Sequence, residues 1–408
     1  MKNVVVIGGG AAGLMAAIMS AKNGNKVTIL EKNTRPARKV MITGKGRCNV
    51  TNNCDTETLI ANVPKNPRFL YSAFSSFSSK DTMNFFEDAG VPLKTERGNR
   101  VFPVSDKAVD IVDALVNSAK KSGVKIINTT VKEIVAENET VKSVLCEDGE
   151  AFLADSVILA TGGLSYPVTG STGDGFKMAE KLGHTITDIA PSLVPLECHE
   201  GFCTKLSGLS LKNVTLSIFE EGKKKAIFKE MGEMLFTHFG ISGPLVLSAS
   251  AHLRKMGKKE YKAFIDLKPA LTIEQLDSRV LRDFSDNINK DFANSLDKLL
   301  PKSMIPVIVK LSGIPDNQKV NGISREQRAN LCNLLKNFPL RITKFRPIDE
   351  AIITSGGIAV KEINPATMES KIISGLFFAG EIIDVDAYTG GFNLQIAFST
   401  GYVAGQNA

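Results

Sequence analysis

The stretch Val4-Val5-Val6-Ile7-Gly8-Gly9-Gly10-Ala11-Ala12-Gly13 decides the fold of this chain. Its four β-branched residues, followed at once by glycines, are typical of a short buried strand that ends in a tight turn. A segment rich in Ala and Met then predicts a helix up to Lys22, and residues 26–31 predict the next strand. Strand, glycine turn, helix and strand together predict a βαβ unit whose turn binds a dinucleotide.

The glycine turn has the spacing that a pyrophosphate requires. Gly8 permits the sharp turn, Gly10 lets the backbone approach the phosphates, and Gly13 lets the helix pack closely on the strand. The helix begins near Ala11 and Ala12, where unpaired N–H groups and the positive end of the helix dipole attract phosphate oxygens.

An acidic residue stands at the end of the second strand, where a ribose is expected. Glu31 is predicted to accept hydrogen bonds from the adenosine ribose hydroxyls. Lys32 and Val131 are further predicted cofactor-binding residues.

Two later strand ends carry similar signals. Thr161-Gly162-Gly163 follows a buried strand at residues 156–160, and its glycines permit close passage of the chain beside a ligand. Gly380-Glu381, with Asp384 shortly after, follows a second apolar strand and fits contact with the ribityl or ribose part of FAD.

A helix start near the C-terminus is predicted to face the flavin. Its candidate contacts are Gly391, Phe392, Asn393 and Gln395. The positive end of this helix dipole would stabilise the negative charge that a reduced flavin carries at its N1/C2=O edge.

A basic segment follows the first βαβ unit. Lys39 and Arg47 are predicted to neutralise the pyrophosphate, and this placement favours a cofactor phosphate over nucleic acid. Around them, Gly44, Gly46, Cys48 and Asn49 are predicted cofactor contacts, with the last two small enough to lie over the isoalloxazine ring. Both a redox role and a packing role stay open for Cys48.

The arrangement of patterns predicts an interrupted α/β fold. Strands and helices alternate up to about residue 190 and again from Ile352, whereas residues 214–228 read as a β-hairpin and residues 273–338 carry helical periods. We therefore expect a Rossmann-like FAD-binding domain at residues 1–190 and 346–408. It is interrupted by a β-rich, barrel-like insertion at residues 191–270 and a helical subdomain at residues 271–345.

Composition narrows the class of protein. The net charge of +7 is modest for 408 residues, no apolar run is long enough to span a membrane, and the N-terminus lacks a secretory signal. The six cysteines form no CxxC pair, so no metal site is predicted. We expect a cytoplasmic protein that acts on a small molecule and does not bind nucleic acid.

The motifs together resemble a known family. The sequence resembles the flavoprotein family that includes aminoacetone oxidase and the BaiN-like bile-acid reductases. The resemblance is carried by residues 8–13, 37–40, Gly44-Lys45-Gly46-Arg47-Cys48-Asn49, and residues 233–244, 354–357, 361–365 and 378–391. The resemblance covers essentially the whole chain and implies FAD, a two-part Rossmann-like domain and an inserted β-plus-helical domain. Lys45 departs from the pattern, because a third glycine is expected there.

Three functional hypotheses follow. The leading one is reduction of an activated C=C, such as that of an enone or a steroid-like bile acid, with hydride from NADH or NADPH through FAD. The chain has one dinucleotide fingerprint, so the nicotinamide would dock only transiently. The alternatives are oxidation of a small amine such as aminoacetone, and a non-catalytic flavin-based redox sensor or nucleic-acid-binding protein. His238 and Tyr388 are the candidate proton donors.

Overall fold

The computed structural model describes all 408 residues and contains two compact units. The first unit comprises Met1–Ser192 and Pro347–Ala408, and the second comprises Leu193–Arg346. None of the helices has the length and apolarity that crossing a bilayer requires.

The strands, in chain order, are β1 (Asn3–Ile7), β2 (Lys26–Glu31), β3 (Thr51–Asn52), β4 (Leu93–Glu96), β5 (Arg100–Pro103), β6 (Lys125–Asn128), β7 (Val131–Glu137), β8 (Thr140–Cys146), β9 (Ala151–Leu153), β10 (Ser156–Leu159), β11 (Ala190–Ser192), β12 (Leu196–Cys198), β13 (Ser210–Glu220), β14 (Phe228–Thr237), β15 (Gly240–Ser242), β16 (Tyr261–Asp266), β17 (Phe338–Phe345), β18 (Ile353–Ser355) and β19 (Leu376–Phe378).

The α-helices are α1 (Ala11–Lys22), α2 (Arg38–Ile42), α3 (Thr56–Ala61), α4 (Tyr71–Ser76), α5 (Ser79–Asp88), α6 (Ala108–Lys121), α7 (Asp174–Lys181), α8 (Phe202–Lys205), α9 (Pro244–Ser250), α10 (Ile273–Ser285), α11 (Ile305–Ser312), α12 (Arg325–Lys336) and α13 (Phe392–Asn407).

The first unit is built on a five-stranded parallel sheet in the order β19-β10-β1-β2-β6. Its central strand β1 is buried from Val4 to Ile7, as expected for a strand covered on both faces. Helix α1 is buried along most of its length, and α13 packs against it so closely that a Cβ at Gly405 would lie 2.2 Å from the carbonyl oxygen of Ala16. This confirms the Rossmann-like α/β class predicted from the sequence.

The second unit is built on a closed barrel of six antiparallel strands in the order β12-β15-β14-β13-β16-β17. Helices α10, α11 and α12 pack with it around a separate apolar core, so the barrel-plus-helical class is confirmed. Strand β17 differs from the helical pattern expected for residues 271–345. The reason is visible in its own sequence, because Phe338, Leu340 and Ile342 are buried alternately and close the barrel between β12 and β16.

Candidate functional site

The first unit contains a cavity at the carboxyl ends of its parallel strands. Residues after β1, β2, β10 and β19 line it, together with the first turns of α1 and α13. In open α/β sheets this edge is where ligands bind. Of the predicted cofactor residues, the lining includes Gly8, Gly10, Ala11, Ala12, Glu31, Lys32, Lys39, Val131, Thr161, Gly162, Gly380, Glu381 and Asn393.

The three fingerprint glycines meet different surroundings. A Cβ at Gly8, whose φ is +100°, would lie 2.6 Å from the carbonyl oxygen of Ala160, and one at Gly13 would lie 1.9 Å from that of Gly8. A Cβ at Gly10 would meet no protein atom within 4 Å. Packing of the protein itself therefore requires Gly8 and Gly13, whereas Gly10 keeps open a space beside the N-terminus of α1 that a phosphate group can fill.

Glu31 is held rigidly at the end of β2. Its side chain is 7% exposed, Oε2 accepts a hydrogen bond from the backbone N–H of Gly9 at 2.7 Å, and Oε1 accepts two from Asn33 at 2.7 Å. Oε1 has both of its lone-pair sites occupied, whereas Oε2 keeps accepting capacity for a further hydroxyl group. The same bonds tie Glu31 to the glycine turn, so this residue both lines the cavity and shapes it.

Two lysines in the lining are paired with carboxylates. Lys39 Nζ lies 2.7 Å from Glu381 Oε2 and donates to Ser165 Oγ, and Lys32 Nζ lies 2.7 Å from Asp174 Oδ2. These pairs compensate much of the local positive charge. The N–H groups at the start of α1 therefore add an attraction for phosphate oxygens at the glycine turn that does not depend on these lysines.

One polar group in the lining lacks a protein partner. The hydroxyl oxygen of Thr161 is buried and makes no hydrogen bond. Buried hydroxyls are rarely left unpaired in native proteins, so a bound molecule is the expected partner. The open space at Gly10, the Glu31 carboxylate and this unpaired hydroxyl are together compatible with a bound dinucleotide.

The basic segment contributes less to the cavity than its sequence suggests. Arg47 donates to Glu96 and Asp106 and lies over the ring of Phe102, outside the lining, so it is placed away from the predicted pyrophosphate. The Cys48 side chain is fully buried in the apolar core, and burial raises the pKa of its thiol to about 12. The thiol therefore stays protonated and packs, and the redox role loses its support.

Asp384 and Gln395 are also committed to contacts within the protein. The Asp384 carboxylate pairs with Lys65 Nζ at 2.5 Å and accepts from Asn66 Nδ2, which also donates to the backbone carbonyl of Asp384. Gln395 is fully buried and bonds to Thr51, Thr82, Ser399 and the carbonyl oxygen of Phe77. Neither lines the cavity, because partners distant in the sequence turn both side chains elsewhere.

Other predicted contacts support the cavity without lining it. A Cβ at Gly163 would lie 2.3 Å from Thr354 Oγ1, and one at Gly391 would lie 2.3 Å from the Thr51 backbone, so these glycines permit close passage of two chain segments. The remaining residues outside the lining are Gly13, Gly44, Gly46, Asn49 and Phe392. Asn49 Oδ1 is buried without a partner, which leaves a ligand contact open at that position.

Neither candidate proton donor lies in the lining. His238 is exposed at the turn between β14 and β15 in the second unit, where its ring packs edge-on against Phe239 at 5.0 Å. Tyr388 is half-buried in the first unit, and its backbone N–H donates to the carbonyl oxygen of Asn62. The catalytic assignment of both residues remains a prediction.

Sequence reasoning missed part of the cavity wall. Gly170, Ser171 and Thr172 line it from the loop before α7, and this Gly/Ser/Thr-rich loop carried a detectable signal. Ile352 and Ile353 also line the cavity, but as two apolar residues beside a short strand they carried no signal that separates them from core.

Comparisons with known proteins agree with this geometry. A family model described as HI0933-like protein Rossmann domain matches residues 2–407. The chain is 32% identical over 418 residues to a 3-dehydro-bile acid delta(4,6)-reductase of Clostridium scindens, covering 100% of this chain and 99% of the relative. It is 32% identical over 404 residues to a ribosomal RNA dihydrouridine synthase of Haemophilus influenzae, covering 98% and 96%.

The fold also recurs in a solved structure. The 3-ketosteroid delta1-dehydrogenase of Sterolibacterium denitrificans, in complex with 1,4-androstadiene-3,17-dione, aligns with a TM-score of 0.53 and 13% identity. The alignment covers 99% of this chain and 98% of that enzyme. At this identity the likeness concerns the fold.

Proposed function

Since the chain belongs to the HI0933-like Rossmann family and is an FAD-dependent oxidoreductase, we propose that it reduces a C=C bond conjugated to a carbonyl group, with electrons from NADH or NADPH. The observation that carries the proposal is a reaction type common to the two relatives that span the whole chain. A 3-dehydro-bile acid delta(4,6)-reductase acts on double bonds conjugated to a ring ketone. Dihydrouridine arises from uridine by reduction of the ring C=C next to a carbonyl.

This reaction requires the protein mainly to position the cofactor and the acceptor. Addition of hydrogen across a conjugated C=C needs a hydride at the β-carbon and a proton at the α-carbon. Bound FAD would supply the hydride, which it receives from the nicotinamide. The protein has to hold the cofactor, orient the acceptor and deliver one proton, so a conspicuous triad of catalytic residues is not required.

Different cavity residues would bind different parts of the cofactor. Glu31 would accept hydrogen bonds from the adenosine ribose, and the open space at Gly10 would take the pyrophosphate against the N-terminus of α1. The Thr161 hydroxyl, unpaired within the protein, would gain its partner from the same molecule.

The start of α13 supports the flavin end. Asn393 and Leu394 line the cavity in the first turn of this helix, directly after Gly391, whose φ is +100°. First-turn N–H groups have no partner inside a helix, and the dipole there stabilises negative charge. An environment of this kind favours the reduced, anionic form of a flavin and thereby the accumulation of a hydride donor.

The test is anaerobic mixing of the FAD-loaded protein with NADH or NADPH, followed in the flavin absorption band. We expect bleaching by one of the two nicotinamides, and then recovery of the absorption when a ketosteroid with a conjugated C=C or a uridine-containing RNA is added.

Two results would contradict the proposal. Bleaching by aminoacetone but by neither nicotinamide would favour the amine oxidase. A bleached protein that recovers only with oxygen, and with no conjugated acceptor, would exclude the reductase.

A further inference from the structure

The net positive charge of the protein comes from one of its two units. The second unit, Leu193–Arg346, contains 25 Lys and Arg against 16 Asp and Glu, a net charge of +9. The first unit contains 25 against 27, a net charge of −2. The cofactor phosphates would bind in the first unit, so the excess of cations in the second calls for a different explanation.

The densest group of these cations lies at one end of the barrel. Strands β13 and β16 pair there through Glu220 and Tyr261, and the backbone N–H of Glu221 donates to the carbonyl oxygen of Glu260 at 2.9 Å. This pairing brings together the loops 221–227 and 251–260. The two loops carry seven exposed basic residues, which we name the barrel-end cluster: Lys223, Lys224, Lys225, Arg254, Lys255, Lys258 and Lys259.

The cluster stands on a well-defined backbone. Tyr261 is almost fully buried, and its hydroxyl accepts a hydrogen bond from the backbone N–H of Lys255 at 3.0 Å. The Glu220 carboxylate bridges the loops, at 3.1 Å from Lys223 Nζ and 3.8 Å from Lys255 Nζ. Glu220, Glu221 and Glu260 offset three of the seven charges, so the cluster keeps an excess of four.

The shape of the cluster indicates the kind of ligand. A small anion is usually held by donors that converge in a concave site, whereas these side chains are all exposed and spread over two loops. Spread cations match a polymer with regularly spaced negative charges, because each Lys can neutralise one phosphate and release its counterion.

We propose that the barrel-end cluster docks the phosphate backbone of single-stranded RNA whose uracil base is the acceptor. This rests on the proposed reduction, since uracil contains a ring C=C conjugated to a carbonyl group. It revises the expectation from the sequence that no nucleic acid is bound. That expectation rested on the modest net charge of the whole chain, whereas the excess of cations lies in the second unit.

The test compares two triple variants of the FAD-loaded protein that lose the same charge from the same unit. Lys224→Ala, Lys225→Ala and Lys258→Ala remove three cluster cations and leave Lys223 and Lys255 in place beside Glu220. The control replaces three exposed lysines of the helical part by alanine, at Lys290, Lys302 and Lys310. Binding of a labelled uridine-rich single-stranded RNA is measured by fluorescence anisotropy over a range of salt concentrations.

We expect the cluster variant to bind RNA about tenfold or more weakly at low salt, with the slope of log K against log salt reduced by about two. The control should stay near the wild-type affinity and slope. Equal losses in both variants, or none in either, would overturn the proposal. So would tighter binding to phosphatidylserine vesicles than to RNA, lost in the cluster variant.

The result is separable from the test of the proposed function. If the wild-type protein does not bind RNA but reduces a conjugated ketosteroid, the docking proposal is overturned and the proposed reductase function stands. A protein that binds RNA through the cluster but reduces no conjugated acceptor would keep the RNA-binding surface and remove both the reductase and the role of uracil as its acceptor.

Discussion

The glycine turn of the first unit and the loops of the barrel-end cluster in the second are constrained in different ways. In the first, the backbone passes so close to itself at Gly8 and Gly13 that a single added carbon would collide with a carbonyl oxygen. In the loops of the barrel-end cluster, a Cβ at Gly222 or Gly257 would meet nothing within 4 Å. The glycine turn is therefore fixed by close packing of the backbone, whereas the cluster loops present charge on a surface that has room for added atoms.

The difference shows which property of the protein would determine the binding of each ligand. The cavity is defined by geometry, through glycine turns, a rigid carboxylate and two helix starts. The barrel end is defined by charge, through side chains that need only be numerous and exposed. Substitutions should accordingly have large and specific effects in the glycine turn and graded, salt-dependent effects in the barrel-end cluster.

The largest effect is expected at Gly13. In Gly13→Ala the new Cβ would lie 1.9 Å from the Gly8 carbonyl oxygen, so α1 must move away from the turn. We expect the free energy of unfolding to fall by about 3 kcal/mol or more, and the variant to lose its bound FAD. Gly222→Ala is the matched control in the second unit and should cost about 1 kcal/mol, from its positive φ alone. Thermal unfolding measures the loss of stability in both variants. Equal losses would contradict the contrast between the glycine turn and the cluster loops.

Glu31→Ala should weaken FAD binding by about 1.5–3 kcal/mol, because it removes a charged hydrogen-bond acceptor for the ribose. It also strips the Gly9 N–H of its acceptor, so some loss of stability is expected in the FAD-free protein. Glu31→Gln keeps the size and one acceptor and should bind FAD with intermediate affinity. FAD titration by fluorescence quenching gives the constants, and an unchanged affinity in both variants would exclude the ribose role.

Gly10→Ala tests whether this glycine is needed for FAD binding or for the packing of the protein. Its Cβ enters the open space beside α1 and touches no protein atom, so the FAD-free protein should unfold at the wild-type temperature. The same methyl group should raise the dissociation constant for FAD by about tenfold, or about 1.4 kcal/mol. Destabilisation of the FAD-free protein with unchanged FAD affinity would show that this glycine serves packing like Gly13.

The smallest effect is expected at Cys48. Burial raises the pKa of this thiol to about 12, so at neutral pH it is protonated and shielded from reagents. Cys48→Ala should leave the rates of flavin reduction and reoxidation unchanged, and iodoacetamide should modify Cys48 in the native protein only after unfolding. Rapid alkylation under native conditions, or a large loss of reduction rate, would restore a redox role.

The sequence was most informative where the signal is local. The strand at residues 4–7, the glycine turn and the acid at residue 31 are contiguous patterns, and the structure contains each element where it was expected. The β-rich character of the insertion followed from the period-two alternation of its hairpin, but β17 was missed although Phe338, Leu340 and Ile342 carry the same alternation.

The directions of the side chains in the site were harder to predict from the sequence than the positions of the strands and helices. Arg47 belongs to a basic segment next to the fingerprint, yet Glu96 and Asp106 hold it outside the cavity. Gln395 lies one turn into α13, yet hydroxyls from Thr51 and Thr82 hold it in the core. Such partners come from distant parts of the chain, and no pattern around residue 47 or 395 reveals them.

The measurement that bears most directly on the reductase is a competition for the reduced protein. The FAD-loaded protein is reduced with NADH or NADPH, and recovery of the flavin absorption is then timed with oxygen alone, with a conjugated ketosteroid and with uridine-containing RNA. The proposed function predicts that one conjugated acceptor reoxidises the protein faster than oxygen does and leaves a product heavier by two hydrogen atoms. Faster reoxidation by oxygen, with both acceptors recovered unchanged, would contradict it.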